Sequence, residues 1–435
     1  MKREARDIRD RMPRPVQRIA LEEHPSRRRI LWIVLSLAVA AGAFFAFFQG
    51  LLRVDPGWQE IPSEGKYASL ISLRYPLGQT GEATASEKKK LQRLFTLAVD
   101  QAGQALDSSE IIAEPGNLAW LNAHPNQTAE VSPALYRALE KAFSAGRAVF
   151  FGPLYEMNES LLASSTDADA EQMDPRRSPE AAEYVEALLP LLSSPEHIRL
   201  ELLGENRLTL FVSEEYLRLG EEYGISRWID FGWMRNAFAA DLVAEALLEA
   251  GVSSGLISAS MPDLSGKSGR SSGALFLRSL GENDGIRFSL TARQTADSAP
   301  AASAEFQESS EEGIPSGSTP SFSAVRTLSP GETAEAVCRK PAALISLNAL
   351  QSGRLYADGE PRTPWISPAS GLDAHGADAL LAASPREGCA ELLLRLLPLL
   401  TGEEKEPSGL PEESAVWLLE NQTLFQFGSA SLLEE

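Results

Sequence analysis

The chain has 435 residues, enough for one large domain or two ordinary ones, and 43% of them are hydrophobic, enough for a substantial core. Its formal net charge of −20 is unevenly distributed, because residues 1–29 contain ten Lys/Arg and only five Asp/Glu. The acidic excess therefore lies after Leu52, which excludes nucleic-acid binding as an expected function, since that needs a basic surface. The two cysteines, Cys338 and Cys389, show no metal or redox spacing, so one disulfide and two buried thiols both stay open.

Residues 30–52 contain no charged residue and are predicted to form one transmembrane helix. At ~1.5 Å per residue such a helix is about 35 Å long, enough to cross a ~30 Å hydrocarbon core. Arginines at positions 27–29 precede it, so the positive-inside rule places the basic tail 1–29 in the cytoplasm and the rest outside. A cleaved signal peptide is the alternative, but the long basic tail and long apolar run favour a single-pass anchor in the cell membrane.

After a linker predicted at residues 53–65, the hydrophobic pattern and turn residues predict the elements in order. The first half gives a strand at Tyr67–Tyr75, helices at Ser86–Leu106, Val131–Ala145 and Ser178–Leu192, a polar irregular insertion at Tyr155–Arg177, and a hairpin from His197–Leu203 and Arg207–Ser213. The clearest unit runs from Trp228 to Ser260. It is predicted as a short strand, a tight turn at Gly232, a helix that ends at Gly251, and a second strand.

The second half is less regular. It gives a hairpin from Gly273–Leu280 and Gly285–Arg293, a disordered or extended loop at 294–323, a strand at Ala342–Leu350, a mainly helical stretch at Asp378–Leu400, and closing strands at Ala415–Glu420 and Gln422–Gly428. No internal repeat and no domain-sized linker interrupts the soluble part. The sequence therefore predicts one α+β domain over residues 66–430.

Several local patterns occur in the order found in one protein family. They are NLAWLN at Asn117–Asn122, the helical pattern at Val131–Phe143, FGPL at Phe151–Leu154, IDFGWMRNAFAAD at Ile229–Asp241, WISPASG at Trp365–Gly371 and GADALLAAS at Gly376–Ser384. With these patterns the chain resembles the ApbE family, the FAD:protein FMN transferases, over nearly all of the soluble part. The resemblance implies a single ApbE-like domain outside the cytoplasmic membrane, behind one N-terminal transmembrane helix.

The resemblance also implies an activity and a site. In the family, Mg²⁺ neutralises the pyrophosphate of FAD, and FMN is esterified onto a Ser or Thr of a target protein while AMP leaves. Carried over by position, the cofactor-binding residues are Asn122, Asp230, Gly232, Asp241 and Gly371. The same comparison gives Asp378 as the metal ligand. It assigns no catalytic residue, and the implied target is a flavinylated membrane redox protein.

The chain departs from the family pattern where the chemistry is concentrated. In the family's GGIAKG turn two glycines are replaced, one of them by Trp233, and Asn236 stands at the lysine position. Trp365 stands at the position of a motif histidine. The family's D-x-x-x-[TD] metal pair reads Asp378 and Ala382, so one ligand is missing, and Mg²⁺ requires a near-octahedral oxygen shell.

Two functions of different class follow. One is an FAD:protein FMN transferase that tolerates these replacements. The other is a catalytically inactive relative that binds flavin or a partner protein at the membrane. The replaced residues favour the second and the family resemblance favours the first, while a scaffold that binds no nucleotide is a third possibility. The turn from Gly232 to Ala237 is the feature that distinguishes the enzyme from the inactive relative. An open backbone there would admit a pyrophosphate, whereas Trp233 and Arg235 would fill that space.

Overall fold

A computed structural model of the chain describes residues 57–78, 80, 83–261, 273–281, 286–291, 301–306, 324–329, 332–338, 341–357, 359–374, 376–428 and 431–432. These residues belong to one compact unit, Gly57–Glu435. Among them, no helix combines the length and the apolar character needed to cross a bilayer. The predicted tail 1–29, the predicted transmembrane helix 30–52 and the start of the predicted linker 53–65 lie outside the described residues.

Six of the ten helices in the described part of the chain begin at an Asn, Ser or Thr side chain that caps the first turn. The ten helices of this part of the chain are α1 (Thr84–Ala105), α2 (Leu118–Ala123), α3 (Pro133–Ser144), α4 (Gly152–Ala163), α5 (Asp167–Met173), α6 (Pro179–Ser193), α7 (Glu214–Tyr223), α8 (Arg235–Glu249), α9 (Ala349–Ser352) and α10 (Cys389–Leu400). Ser132 accepts a hydrogen bond from the Leu135 N–H, and Pro133 occupies the first position of α3. Short 3₁₀ turns cover Ala68–Leu70, Ala148–Phe151 and Gly232–Met234.

Strands occupy the rest of the regular structure. They are β1 (Trp58–Ile61), β2 (Ile71–Pro76), β3 (Thr128–Glu130), β4 (Ile198–Gly204), β5 (Arg207–Val212), β6 (Gly255–Ser260), β7 (Ala274–Leu280), β8 (Ile286–Thr291), β9 (Ala301–Phe306), β10 (Ala324–Thr327), β11 (Thr333–Cys338), β12 (Ala343–Asn348), β13 (Arg354–Leu355), β14 (Pro361–Arg362), β15 (Ala379–Ser384), β16 (Ala415–Glu420), β17 (Thr423–Gly428) and β18 (Ser431–Leu432). The largest sheet has the order β1-β2-β6-β7-β12-β15-β16-β17-β10. Smaller sheets have the orders β18-β11-β8-β9, β3-β5-β4 and β13-β14.

The large sheet separates two layers of core. On one face α8 packs over β6 and β7, α10 packs over β12 and β15, and α1 packs beside α8. That layer buries the aromatic side chains Phe95, Phe238 and Phe276 completely or nearly so. The other face carries a smaller apolar cluster that includes Leu344 and Trp417, with β9 crossing over β12 and β15. The predicted α+β class is confirmed.

Many of the predicted elements are confirmed. These are helices α1, α3 and α6, the β4–β5 hairpin, strands β6 and β12, and the β16–β17 hairpin. Helix α8 ends as predicted, with Gly251 at φ +84° directly after its last turn. The stretch Trp228–Phe231, predicted as a strand, is irregular and leads into the 3₁₀ turn, so that prediction is wrong. Its apolar residues are buried as a connection beneath helices, which a short apolar run does not distinguish from a strand.

The segment Tyr155–Arg177, predicted as an irregular polar insertion, is largely helical. Helix α4 continues to Ala163, and α5 follows it. Leu161 and Leu162 of α4 pack with Ala170 of α5. The polar residues lie on the outer side of two short helices, and a narrow buried stripe of this kind gives a weak periodic signal.

Two predictions between residues 273 and 323 are also corrected. Strands β7 and β8 do not form a hairpin, because β7 lies between β6 and β12 whereas β8 pairs with β9 and β11 in another sheet. The predicted loop 294–323 contains β9, and its other residues lie outside the described part. The sequence of β9, AASAEF, is poor in β-branched residues, so propensity gives no warning of a strand there.

The stretch Asp378–Leu400, predicted as mainly helical, is a strand followed by a helix. Strand β15 is buried along its whole length in the large sheet, and α10 starts only at Cys389. A short continuous apolar run such as ALLAAS fits either a buried strand or a buried helix. The helical spacing assumed for Asp378 and Ala382 is therefore wrong, because Ala382 lies in the middle of β15.

Candidate functional site

Residues 229–234, which we call the Gly232 turn, connect the segment after α7 to helix α8. Gly232 has φ +50°, and a Cβ there would lie 2.7 Å from the ring of Tyr155, so glycine is required on both counts. The Asp230 carboxylate accepts the Gly232 N–H at 2.8 Å, and the Asp230 N–H donates to the Val149 carbonyl at 2.9 Å. Two residues predicted to bind cofactor thus define the shape of the turn.

Asn122, a third predicted cofactor-binding residue, is buried and clamps the start of the same turn. Its side-chain amide donates to the Ile229 carbonyl at 2.9 Å and accepts from the Ile229 N–H at 3.0 Å. Both ends of the amide are therefore hydrogen-bonded to the backbone of one residue, Ile229. The structure gives Asn122 a positioning role, holding the NLAWLN segment against the Gly232 turn.

Replacing Gly232 with alanine is expected to destabilise the protein through both strain and a clash. Gly224, at φ +69°, provides a matched control, because a Cβ there meets no atom within 4 Å. We expect Gly224→Ala to cost about 1 kcal/mol from backbone strain alone, and Gly232→Ala to cost a further ~1–3 kcal/mol from overpacking against Tyr155. Urea unfolding of both variants measures the difference, and equal costs would show that Tyr155 does not restrict this turn.

The family-like segments converge around the Gly232 turn although they are distant in sequence. A Cβ at Gly152, in FGPL, would lie 2.4 Å from the Arg227 carbonyl oxygen, so these two backbones are in close contact. Gly371, the predicted cofactor-binding residue of WISPASG, has φ +67°, and a Cβ there would lie 2.9 Å from Val185 and 3.2 Å from Leu154. Gly371 therefore serves close packing against FGPL and helix α6.

Two tryptophans fill the centre of this arrangement. Trp233 of the Gly232 turn and Trp365 of WISPASG have ring centroids 6.2 Å apart at an interplanar angle of 57°. Trp233 is 5% exposed and Trp365 is 0% exposed. Neither indole N–H has a hydrogen-bond acceptor among the described residues. The two positions that carry a glycine and a histidine in the family are thus occupied by large side chains in mutual contact.

The position of the family lysine, Asn236, is also used internally. Its side-chain amide donates to the carbonyl of Ser260, the last residue of β6, and the residue is buried. The hydrogen bond joins the first turn of α8 to the end of its neighbouring strand. An uncharged amide in that contact supplies no positive charge for a phosphate.

Asp241, predicted to bind cofactor, lies inside the protein and holds the start of helix α10. Its two carboxylate oxygens accept the N–H groups of Cys389 and Ala390, each at 2.9 Å, and Arg278 Nε lies 3.3 Å away. Burial raises the pKa of Asp241, whereas Arg278 and the two N–H groups lower it. The carboxylate therefore acts as a cap for α10, a common role for an acid at a helix N-terminus.

Asp378, the predicted metal ligand, caps a turn. Its carboxylate accepts a hydrogen bond from the Asn421 N–H of the β16–β17 turn at 2.9 Å. Its backbone N–H donates to the Leu419 carbonyl, and its carbonyl accepts from the Ala349 N–H. No group of three or more His, Cys, Asp or Glu side chains in the described ranges is arranged to hold a metal ion. A single carboxylate engaged in a turn does not fit the oxygen-rich shell that Mg²⁺ requires.

A charged cluster that the sequence analysis did not single out lies beside the Gly232 turn. Arg227 Nη1 lies 3.2 Å from Glu159 Oε2 and 3.7 Å from Asp230 Oδ2, and Arg227 Nε lies 3.8 Å from Glu156. Burial raises the pKa of Glu159, and the Asp230 carboxylate raises it further. Helical spacing of Glu156 and Glu159 would have been the available signal, but the segment was predicted as irregular.

The Tyr155 side chain was missed for the same reason. Its ring lies against Gly232, its hydroxyl donates to the Ala148 carbonyl at 3.0 Å, and burial raises its pKa. It therefore supports the turn from beneath. If helix α4 were predicted, Tyr155 would lie in its first turn. A large aromatic residue at that position would then be expected to pack beneath the Gly232 turn.

The fold is of a mixed helix and sheet type similar to that of ApbE flavin transferases. A structure of a mutant flavin transferase ApbE from Vibrio cholerae is 13% identical, with a TM-score of 0.47, and the match covers 85% of this chain and 97% of that one. The ApbE protein from Thermotoga maritima is 12% identical, also with a TM-score of 0.47, over 87% and 97% of the two chains. No family model and no curated protein matches the chain.

Proposed function

We propose that this chain is an ApbE-like protein that does not transfer FMN and acts as a non-catalytic binding module at the outer side of the membrane. The observation that carries the proposal is the buried contact between Trp233 and Trp365. Their rings occupy the two motif positions at which the family resemblance implies small or hydrogen-bonding residues around the nucleotide. A pyrophosphate needs close approach to open backbone, and these rings prevent that approach.

The charges around the turn support the same proposal. Phosphoryl transfer from FAD depends on positive charge placed against the pyrophosphate. Here Asn236 replaces the lysine and is committed to Ser260, while Arg227 is paired with acids of α4 and with Asp230. Among the described residues, Asp378 belongs to no cluster of three or more donors that would form a Mg²⁺ shell. The residues present therefore do not fit FAD and its metal, and no reaction step is assigned to them.

The location of the module rests on the sequence. The predicted anchor at residues 30–52, with arginines at 27–29, favours a single-pass protein whose domain lies outside the cytoplasm. A membrane redox protein of the kind that carries covalent flavin is the partner class that the resemblance favours. A binding module would contact such a protein without modifying it.

A second candidate is the enzyme itself, and one observation favours it. The segments NLAWLN, FGPL and WISPASG, together with the Gly232 turn, still converge at one place, as a retained active site would require. Under this candidate the tryptophans move aside when FAD enters. The contact between the two rings would then be a feature of the unliganded protein alone.

Titration of the full chain in detergent with FAD, with and without Mg²⁺, separates the candidates. Flavin fluorescence measures binding, and AMP release in the presence of a Ser/Thr acceptor peptide measures transfer. We expect neither saturable binding at ~1 mM FAD nor AMP release, since ~1 mM corresponds to only about 4 kcal/mol of binding free energy. Saturable binding without AMP release would support a flavin-holding module. Mg²⁺-dependent release of AMP would overturn the proposal in favour of the enzyme.

A further inference from the structure

Helix α1 presents a basic outer ridge in an otherwise acidic protein. Its inward face buries Leu91, Phe95 and Val99. The exposed positions of the helix are Ala85, Ser86, Lys89, Lys90, Arg93, Leu97, Gln101 and Gln104. None of these eight is acidic, although the chain contains 60 acidic and 40 basic residues. We call Lys89, Arg93 and Leu97 the basic ridge.

The charges of the ridge are available to an outside partner. Neither Lys89 nor Arg93 forms an ion pair with a described residue. Next to the ridge, Gln92 donates a hydrogen bond at 3.1 Å to Glu64, in the segment that follows β1. Leu97, one turn beyond Arg93, is 55% exposed. A cationic helix face that ends in an exposed leucine is suited to a surface that is anionic outside and apolar beneath.

The start of α1 lies beside β1, the first strand of the described domain. Lys88 Nζ donates to Gln59 Oε1 of β1 at 3.5 Å. Between Leu52, the end of the predicted span, and Trp58, the start of β1, six residue steps reach at most about 20 Å when fully extended. The start of α1 is therefore held close to the bilayer if the anchor is present. Such a tether gives a high effective concentration of the lipid surface at the ridge.

We propose that the basic ridge of α1 docks on anionic lipid headgroups and sets the orientation of the domain on its membrane. The tether supplies proximity, and the ridge selects which face turns to the lipid. The acidic remainder of the domain is repelled by the same surface, which strengthens the preference. The inference rests on the predicted anchor and is independent of whether the domain transfers FMN.

The test uses the full chain in nanodiscs that contain a headgroup-labelled TEMPO lipid as quencher. A bimane label is placed at Leu97→Cys or, as a matched control, at Leu203→Cys on β4, in a Cys338→Ser background. Leu203 is 50% exposed, and Cys389 is buried with a raised pKa, which keeps it unreactive. Lipids are phosphatidylcholine alone or with about 30% phosphatidylglycerol.

We expect quenching at position 97 to be about twofold or more stronger in the anionic discs, and to fall to the zwitterionic level in about 0.5 M salt, where screening is strong. Position 203 should not respond to lipid charge. The surface variant Lys89→Glu/Arg93→Glu should abolish the difference while its melting temperature stays unchanged. Equal quenching at 97 and 203, or no effect of charge reversal, overturns the proposal. Shielding of the label without quenching would indicate a protein partner or a second copy and overturns it as well, as does failure of the chain to enter the discs.

Discussion

Replacing Trp233 with glycine, the residue that the family has at this position, is expected to create measurable FAD binding. The substitution removes a large ring from the Gly232 turn, together with a buried indole N–H that has no acceptor among the described residues. Backbone N–H groups at the start of α8 then become accessible to an anion. We expect the affinity for FAD to rise by about tenfold or more, equivalent to ~1.4 kcal/mol, without dependence on Mg²⁺ and without AMP release.

Loss of a buried tryptophan also lowers stability, so the variant needs controls. Truncation of a core tryptophan costs about 3–5 kcal/mol, and binding should be measured at a temperature where circular dichroism shows native structure. Trp417→Ala removes a fully buried tryptophan from the apolar cluster on the other face of the large sheet, and should give no FAD binding. Trp365→His restores the other family residue at smaller cost. If neither Trp233→Gly nor Trp365→His binds FAD, the rings are not what closes the site.

Sequence patterns predicted the framework of the fold well where local signals and tertiary packing agree. Helix α3 shows this, since Ser132 and Pro133 set its start and an apolar stripe sets its buried face. Patterns failed where an element is buried on both sides. Strand β15 is buried along its whole length, and its sequence therefore shows no alternation of apolar and polar residues that would identify a strand. Its pairing within the large sheet determines its structure.

The residues of the candidate site could be named from the sequence, but their contacts could not. Asn122, Asp230, Gly232 and Gly371 do lie in segments that meet around one turn. Sequence alone could not show that both ends of the Asn122 amide are taken by Ile229, or that Trp233 touches Trp365 across 132 positions. Such pairings depend on tertiary contacts. A match to a family motif therefore locates a residue in the chain without determining what that residue contacts.

Asp241 shows most directly that a motif residue can have a structural role, and its removal is expected to have a large effect on stability. In Asp241→Ala the N–H groups of Cys389 and Ala390 lose their acceptors, and Arg278, whose side chain is 18% exposed, loses its nearest carboxylate. Breaking a buried charge pair by removing one partner costs about 3–5 kcal/mol. We expect a loss of that size in the free energy of unfolding, measured by urea denaturation of the full chain in detergent.

Two further variants make the measurement specific to the buried cap. Asp241→Asn keeps one acceptor oxygen for the start of α10 and should therefore cost less than the alanine variant. Glu201→Ala removes the partner of Arg199 in a surface pair whose side chains are 44% and 37% exposed, and should cost no more than about 1 kcal/mol. If Asp241→Ala is as mild as Glu201→Ala, the carboxylate does not hold α10 in solution. The cofactor-binding role implied by the family resemblance would then regain its force for this residue.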